Sequence, residues 1–308
     1  MATESSPSVL SRLNEGASAF IRENRRSMVG MGILLLPALL FVGVSMVFPT
    51  LILFDYSFNP FVEGSIVSGF TLAHYQRALG VELYQNILFR TVRIAVIVTV
   101  LAFMLGFPLA YAAVRKGGLV GKLIVISTLA PLTIDLVVRS FGWFVLLSGN
   151  GLVPTLLTDL GLFPADSPPK LLFNEVGIIV GLTHVMLPFM VFPIVNVMHT
   201  IPRSLEDAAR NLGANRFTVF ARVLFPLALP GISAGVLITF IVAMASYVTP
   251  AILGGGVKVV PVVITDTVTS TSNWPFASAL SIILVVIALF VIVGYQRALK
   301  RISGVGGV

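Results

Sequence analysis

The chain contains no cysteine, which excludes disulfides, thiolate metal sites and cysteine nucleophiles. Charge is scarce as well: 11% of the residues are Asp, Glu, Lys or Arg, against about 25% in a soluble domain. Histidine occurs three times, at His74, His184 and His199, without metal-ligand spacing. No GxxxxGK phosphate-binding loop ending in Ser or Thr is present. The nearest approach, Gly117-Gly118-Leu119-Val120-Gly121-Lys122, has the wrong spacing and lacks the hydroxyl that would hold magnesium. HExxH and GxSxG are also missing. Asp135 is the only carboxylate well inside an apolar run, so an intramembrane enzyme would lack its paired carboxylates or its nucleophile and base. These absences leave no case for catalysis, and no metal or cofactor is expected on this chain.

What remains is apolar. Of 308 residues 56% are hydrophobic, and the mean hydropathy is +0.99. So much apolar surface cannot be hidden in one water-soluble core, which makes the chain a polytopic membrane protein of the all-α class. The first apolar run, Met28 to Phe54, is far longer than the roughly 7–15 residues of a signal-peptide core and reads as a retained span. A transmembrane helix needs about 20 mostly apolar residues. Six stretches qualify: 29–54, 86–114, 122–147, 175–198, 223–252 and 276–296. Pro37, Pro108, Pro131, Pro188, Pro193 and Pro230 fall inside them, as membrane helices permit where neighbours re-satisfy the backbone. The expected organisation is a cytoplasmic tail over 1–28, a membrane domain over 29–297 and a cytoplasmic tail over 298–308.

The net charge of +7 would suggest nucleic acid in a soluble protein; here it is read as loop asymmetry, with no nucleic-acid partner. Arg12, Arg22, Arg25, Arg26, Arg115, Lys116, Lys122, Arg203, Arg210, Arg216, Arg222, Arg297, Lys300 and Arg301 all fall on one side, fourteen of the twenty basic residues. By the positive-inside rule that side is cytoplasmic and holds both termini. The opposite loops are richer in turn residues, and Thr71 to Leu79 reads as an interfacial helix.

One cytoplasmic connection, about 199–226, is longer than a linker needs to be. Ser204 with Asp207 three residues on resembles a capping box. Leu205, Ala208, Ala209 and Leu212 then share one helical face, with Glu206 and Arg210 as an i, i+4 pair on the polar side. Gly213 sits where a left-handed C-cap is wanted, and a second helix starts near Asn215. Locally this is either a capped surface turn or a docking knob whose small, apolar face a partner covers.

Asp207-Ala208-Ala209, three residues, Gly213, nine residues, then Val223-x-Phe225-Pro226 resembles the EAA loop of type I ABC importer permeases, with Asp for Glu, Val for Ile and Phe for Leu. Further stretches are similar to permeases of spermidine/putrescine importers and their relatives for ferric iron, opines and phosphonates. These include Asn86-x-x-x-Arg90-Thr91, Gly106 to Tyr111, Val138-Arg139-Ser140-Phe141-Gly142-Trp143, Asn150-Gly151-Leu152, Gly181 to Met190 and Tyr247 to Gly255. The resemblance implies a type I permease fold in a bacterial inner membrane. It also implies a second permease subunit, a different chain or a second copy, together with two ATPase subunits and a periplasmic solute-binding protein. ATP and Mg would be used by the ATPase subunits alone. In this family the EAA loop seats in a cleft of the ATPase, so Glu206, Asp207, Ala208, Ala209, Arg210, Gly213 and Arg216 become the candidate coupling residues.

Candidates for the solute path are Asp135, Arg139, Trp143, His184, Tyr247 and Thr249, because ionisable residues at membrane depth are functional candidates. Asp135 and Arg139 are one turn apart and would form either a packing ion pair or part of the path. Arg90 and Arg93 would anchor at the outer surface or meet acidic patches on the binding protein. The solute expected is a small polar one, polyamine-like, with opine, phosphonate, ferric iron and amino-acid-like solutes as alternatives. A secondary transporter or a membrane scaffold without an ATPase would be a different class of protein.

Overall fold

Inside a bilayer no water is available to backbone amides, so long apolar runs must satisfy them internally as helices. The computed structural model describes residues 35–164 and 167–303, and helices dominate them. The expected tail over 1–28, the first residues of the first span and residues 304–308 lie outside the described residues. Six stretches are long and apolar enough to span: Leu35–Tyr56, Glu82–Lys116, Leu136–Asp159, Glu175–Thr200, Arg216–Met244 and Trp274–Leu299.

Leu35–Tyr56 (α1) ends a unit separate from residues 57–308. It carries a π-helical turn over Gly43–Val47. Ser45 and Thr50 turn their hydroxyls back to the carbonyls of Phe41 and Met46, so neither is left unpaired among apolar neighbours.

The second unit opens with a two-stranded hairpin, Phe61–Val62 (β1) and Ser65–Ile66 (β2). A short helix follows over Ala73–Gly80 (α2), where the sequence predicts one. Three helices then make the core: Glu82–Lys116 (α3), Glu175–Thr200 (α7) and Arg216–Met244 (α9). Between α3 and α7 lie Gly118–Leu129 (α4), Leu136–Leu147 (α5) and Leu152–Asp159 (α6). Arg203–Asn211 (α8) joins α7 to α9, and Val248–Leu253 (α10), Val260–Thr271 (α11) and Trp274–Ser303 (α12) complete the chain.

Burial in the core trio is not set by amphipathicity, since α7 and α9 are apolar all round. Small residues decide it, as expected where lipid is as apolar as the packing partner. Ala95, Ala102 and Ala110 of α3 and Ala228 of α9 are fully buried, as are Met190, Ile194 and Met198 of α7. A Cβ at Gly231 would lie 2.6 Å from the Pro193 carbonyl oxygen, and one at Gly235 would lie 3.0 Å from that of Met190. Backbone therefore meets side chain and backbone directly along the α7–α9 seam.

Two expected spans are corrected. The third, expected as one helix over 122–147, is broken: α4 ends at Leu129, a 3₁₀ turn occupies Ala130–Thr133, and α5 restarts at Leu136. Pro131 explains the break, because it offers no N–H and its ring crowds the preceding turn. The fifth, expected over 223–252, starts earlier at Arg216 and stops at Met244, and Val248–Leu253 is a separate short helix.

Alanine at Gly231 should gain up to about 1 kcal/mol in helix propensity, yet lose more to the forced contact with Pro193. We expect Gly231→Ala to lower stability by about 1–3 kcal/mol, seen as a lower unfolding temperature in detergent. Gly142→Ala, where a Cβ meets nothing within 4 Å, should not fall.

Candidate functional site

The connection from α7 to α9 folds as helix, glycine corner, helix. Gly213 adopts φ +84°. The N–H of Gly213 bonds to the Arg210 carbonyl at 2.9 Å, and that of Ala214 to the Ala209 carbonyl at 3.0 Å. This is the paired 5→2 and 6→1 pattern that a left-handed residue permits. Asn215 then caps α9 by accepting from the Thr218 N–H at 2.8 Å.

The N-terminus of α8 differs from expectation. Pro202 is the N-cap, without a side-chain cap bond, and α8 starts at Arg203. Ser204 therefore lies inside the first turn, and the capping box with Asp207 does not form. Arg203 instead reaches back to the Val114 carbonyl at 3.3 Å and to the Arg115 carbonyl.

The apolar face divides in two. Leu205, Ala208 and Leu212 are exposed, Leu212 to 89%. Ala209 is half-buried against the core. Phe217 at the start of α9 is also exposed. Asp207 faces solvent, within 3.6 Å of Arg210.

Glu206 does not lie on a solvated polar side. Only 4% of it is exposed, and although Arg210 lies 3.5 Å away as expected, the closer partner is Arg115 at the end of α3. Arg115 Nε lies 2.5 Å from Glu206 Oε1, a charge contact whose N–H is not aligned as a hydrogen bond. Tyr111 donates to Glu206 Oε2 at 3.2 Å, and Arg115 Nη1 donates to the Ile201 carbonyl at 3.1 Å. Beside this cluster a cavity of about 790 Å³ is lined by Phe107, Tyr111, Glu206, Arg210, Arg216 and Phe220 among others. Arg216 stands exposed on its rim.

The membrane-depth candidates partly converge. Trp143 of α5 meets His184 of α7 edge to face, with ring centroids 5.6 Å apart. Arg139 lies one turn before Trp143, and its Nε and Nη1 are buried without an acceptor. Thr249 of α10 is fully buried, its hydroxyl 3.0 Å from that of Ser140 in α5. Tyr247 is exposed in the break between α9 and α10.

The Asp135–Arg139 ion pair is not formed. Because the helix breaks at Pro131, Asp135 becomes the N-cap of α5 and accepts from the N–H groups of Val137 and Val138 at 2.8 and 3.4 Å. At the opposite end, Arg90 and Arg93 are consumed within the chain. Both pair with Glu175 at the start of α7, Arg90 at 3.0 Å, and Arg90 also donates to the Lys258 carbonyl at 3.2 Å.

This architecture is shared with known proteins. Residues 33–303 match the family of the binding-protein-dependent transport system inner membrane component. The chain belongs to that family: it is a multi-pass inner-membrane permease subunit of an ABC importer, which decides against a secondary transporter or a scaffold. The chain is similar to the spermidine/putrescine transport system permease protein PotB of Haemophilus influenzae, with 33% identity over 72% of this chain and 77% of that one. PotB of Escherichia coli is 30% identical over 83% of this chain and 92% of that one. Among solved structures, a bacterial ABC transporter involved in the import of the acidic polysaccharide alginate gives a TM-score of 0.66 at 17% identity, covering 92% of this chain and 99% of that chain. The MetNI methionine ABC transporter gives 0.52 at 18%, covering 72% and 98%. At such identities the likeness is one of fold.

The cap at Asp135 makes a direct prediction. Asp135→Ala should cost about 0.5–2 kcal/mol, while Asn, which keeps the acceptor, should stay close to the parent. Thermal unfolding of the two variants side by side checks this.

Proposed function

We propose that the chain forms one half of a transmembrane path whose α7–α9 loop docks into a separate ATPase subunit. A second permease subunit, two ATPase subunits that use ATP and Mg, and a periplasmic solute-binding protein complete the importer. Both termini and the loop lie in the cytoplasm. The observation that carries this reading is the bare face of α8. Leu205, Ala208 and Leu212, with Phe217 beside them, are exposed on a short helix whose other side is held by a buried carboxylate. A soluble-facing helix with that surface wants a partner, and Ala208 leaves room for close approach. Asp207, Arg210 and Arg216 supply the polar rim, while Gly213 fixes the corner.

The solute is polyamine-like, as the names of the PotB relatives suggest. The path runs past the α5, α7 and α10 cluster, where Trp143, His184, Tyr247 and Thr249 offer aromatic and hydroxyl surface. Asp135 supplies negative charge at the broken helix. Its carboxylate is exposed although one oxygen serves the cap, so it can meet an ammonium group. The half-buried Arg139 guanidinium repels a polycation and serves the path as a boundary rather than a ligand.

Two measurements test this. In vesicles holding the whole complex, spermidine or putrescine uptake should require ATP; ATP-independent accumulation would refute the reading. Ala208→Arg and Leu212→Asp should each prevent the ATPase subunit from co-purifying while leaving membrane insertion intact, and normal co-purification of both would show that this face is not the dock. In the same vesicles Asp135→Asn should reduce uptake at least several-fold without the stability loss of Asp135→Ala.

A further inference from the structure

The α8 helix is joined by main chain to two of the three core helices: through Ile201 and Pro202 to α7, and through Gly213 to Asn215 to α9. Its link to the third, α3, is made by side chains alone. We propose that Glu206 is the positioning residue that carries the movement of α8 to α3. Any displacement imposed on α8 then moves all three core helices together at this end. The inference rests on the docking role of α8 proposed above.

Three contacts converge on the last turns of α3. Arg203 Nη2 donates to the carbonyls of Val114 and Arg115. Arg115 Nη1 donates to the Ile201 carbonyl at 3.1 Å. Glu206 closes the set, its side chain 5% exposed, against Arg115 at 2.5 Å and the Tyr111 hydroxyl at 3.2 Å. The first two contacts hold the first residue of α8 and the loop before it; Glu206, about one turn further on, reaches α3 from the body of the helix.

Charge suits this task better than an apolar contact would. Arg115 Nη2 is buried and has no acceptor, and Arg210 stands 3.5 Å from the second carboxylate oxygen. The Glu206 carboxylate thus has two cations and one spare donor within reach. Pulling α8 away from α3 would strand both the Glu206 carboxylate and the Arg115 guanidinium, whose side chains are 5% and 11% exposed, a condition that is heavily penalised. The adjacent acids divide the work: Asp207 faces outward and Glu206 faces α3.

The absence of native cysteine allows site-specific spin labels. We would label Lys116→Cys at the end of α3, Asn211→Cys at the end of α8 and Arg297→Cys on α12, in pairs, within the assembled complex. Distances would be measured with and without a non-hydrolysable ATP analogue and Mg. In the parent, the analogue should shift the 211–297 distance while leaving 116–211 unchanged. In Glu206→Gln the 116–211 distribution should broaden and shift with the analogue. The exchange Glu206→Arg with Arg115→Glu should restore joint movement, and Glu206→Asp, which keeps charge but shortens the arm, should restore it partly. Joint movement in Glu206→Gln equal to the parent's would overturn the proposal, as would failure of the charge exchange to restore it in an assembled complex. A parent complex whose 211–297 distance ignores the analogue would instead count against the docking role of α8.

Discussion

The close approach of α7 and α9 is the constraint on which the rest depends. With lipid outside and no water inside, these helices gain nothing from segregating polar and apolar faces. They hold together because Gly231 and Gly235 let one backbone rest against the other at Pro193 and Met190. α3 then packs on the pair with its own line of alanines, and Gly106 meets Met190 and Val191. Everything at either end of the bundle is mounted on that three-helix frame.

The two ends are finished differently. At one, Glu175 gathers Arg90 and Arg93 and the Lys258 carbonyl completes the bracket, with Thr91 accepting from the Val260 N–H at 2.9 Å. At the other, the bracket is Glu206 with Arg115, Tyr111 and Arg210. Both use a carboxylate shared by two arginines: Arg90 and Arg93 both lie on α3, whereas Glu206 has Arg115 on α3 and Arg210 on α8 itself. The first bracket is partly solvated, whereas the Glu206–Arg115 contact of the second is nearly dry, and the penalty for breaking it is correspondingly larger.

Much of this was legible in the sequence, for a physical reason in each case. The long apolar runs show the spans because length and composition are the whole requirement for crossing a bilayer. The glycine corner at Gly213 and the helix start near Asn215 were readable because both are decided by neighbouring residues. Of the two readings of Asp135, the ion pair with Arg139 fails because i, i+4 spacing suggests a partner only if the helix is continuous, and Pro131 ends it. Glu206 was placed on the wrong side for a different reason. Its spacing to Arg210 is local, but its main partner lies 91 residues earlier, on a helix whose approach no local pattern encodes. Arg115 had shown only as one more positive charge marking a side of the membrane.

The inward turn of Glu206 also bears on how such loops can be exchanged between permeases. Grafting residues 203–213 into another chain would carry over the outward surface with Asp207, Ala208 and Leu212, the face proposed above as the dock. The graft would also bring a buried carboxylate that needs an arginine and a tyrosine at the end of a distant helix. The loop is therefore a two-part device divided between separated stretches of chain, and its portability is limited by Tyr111 and Arg115.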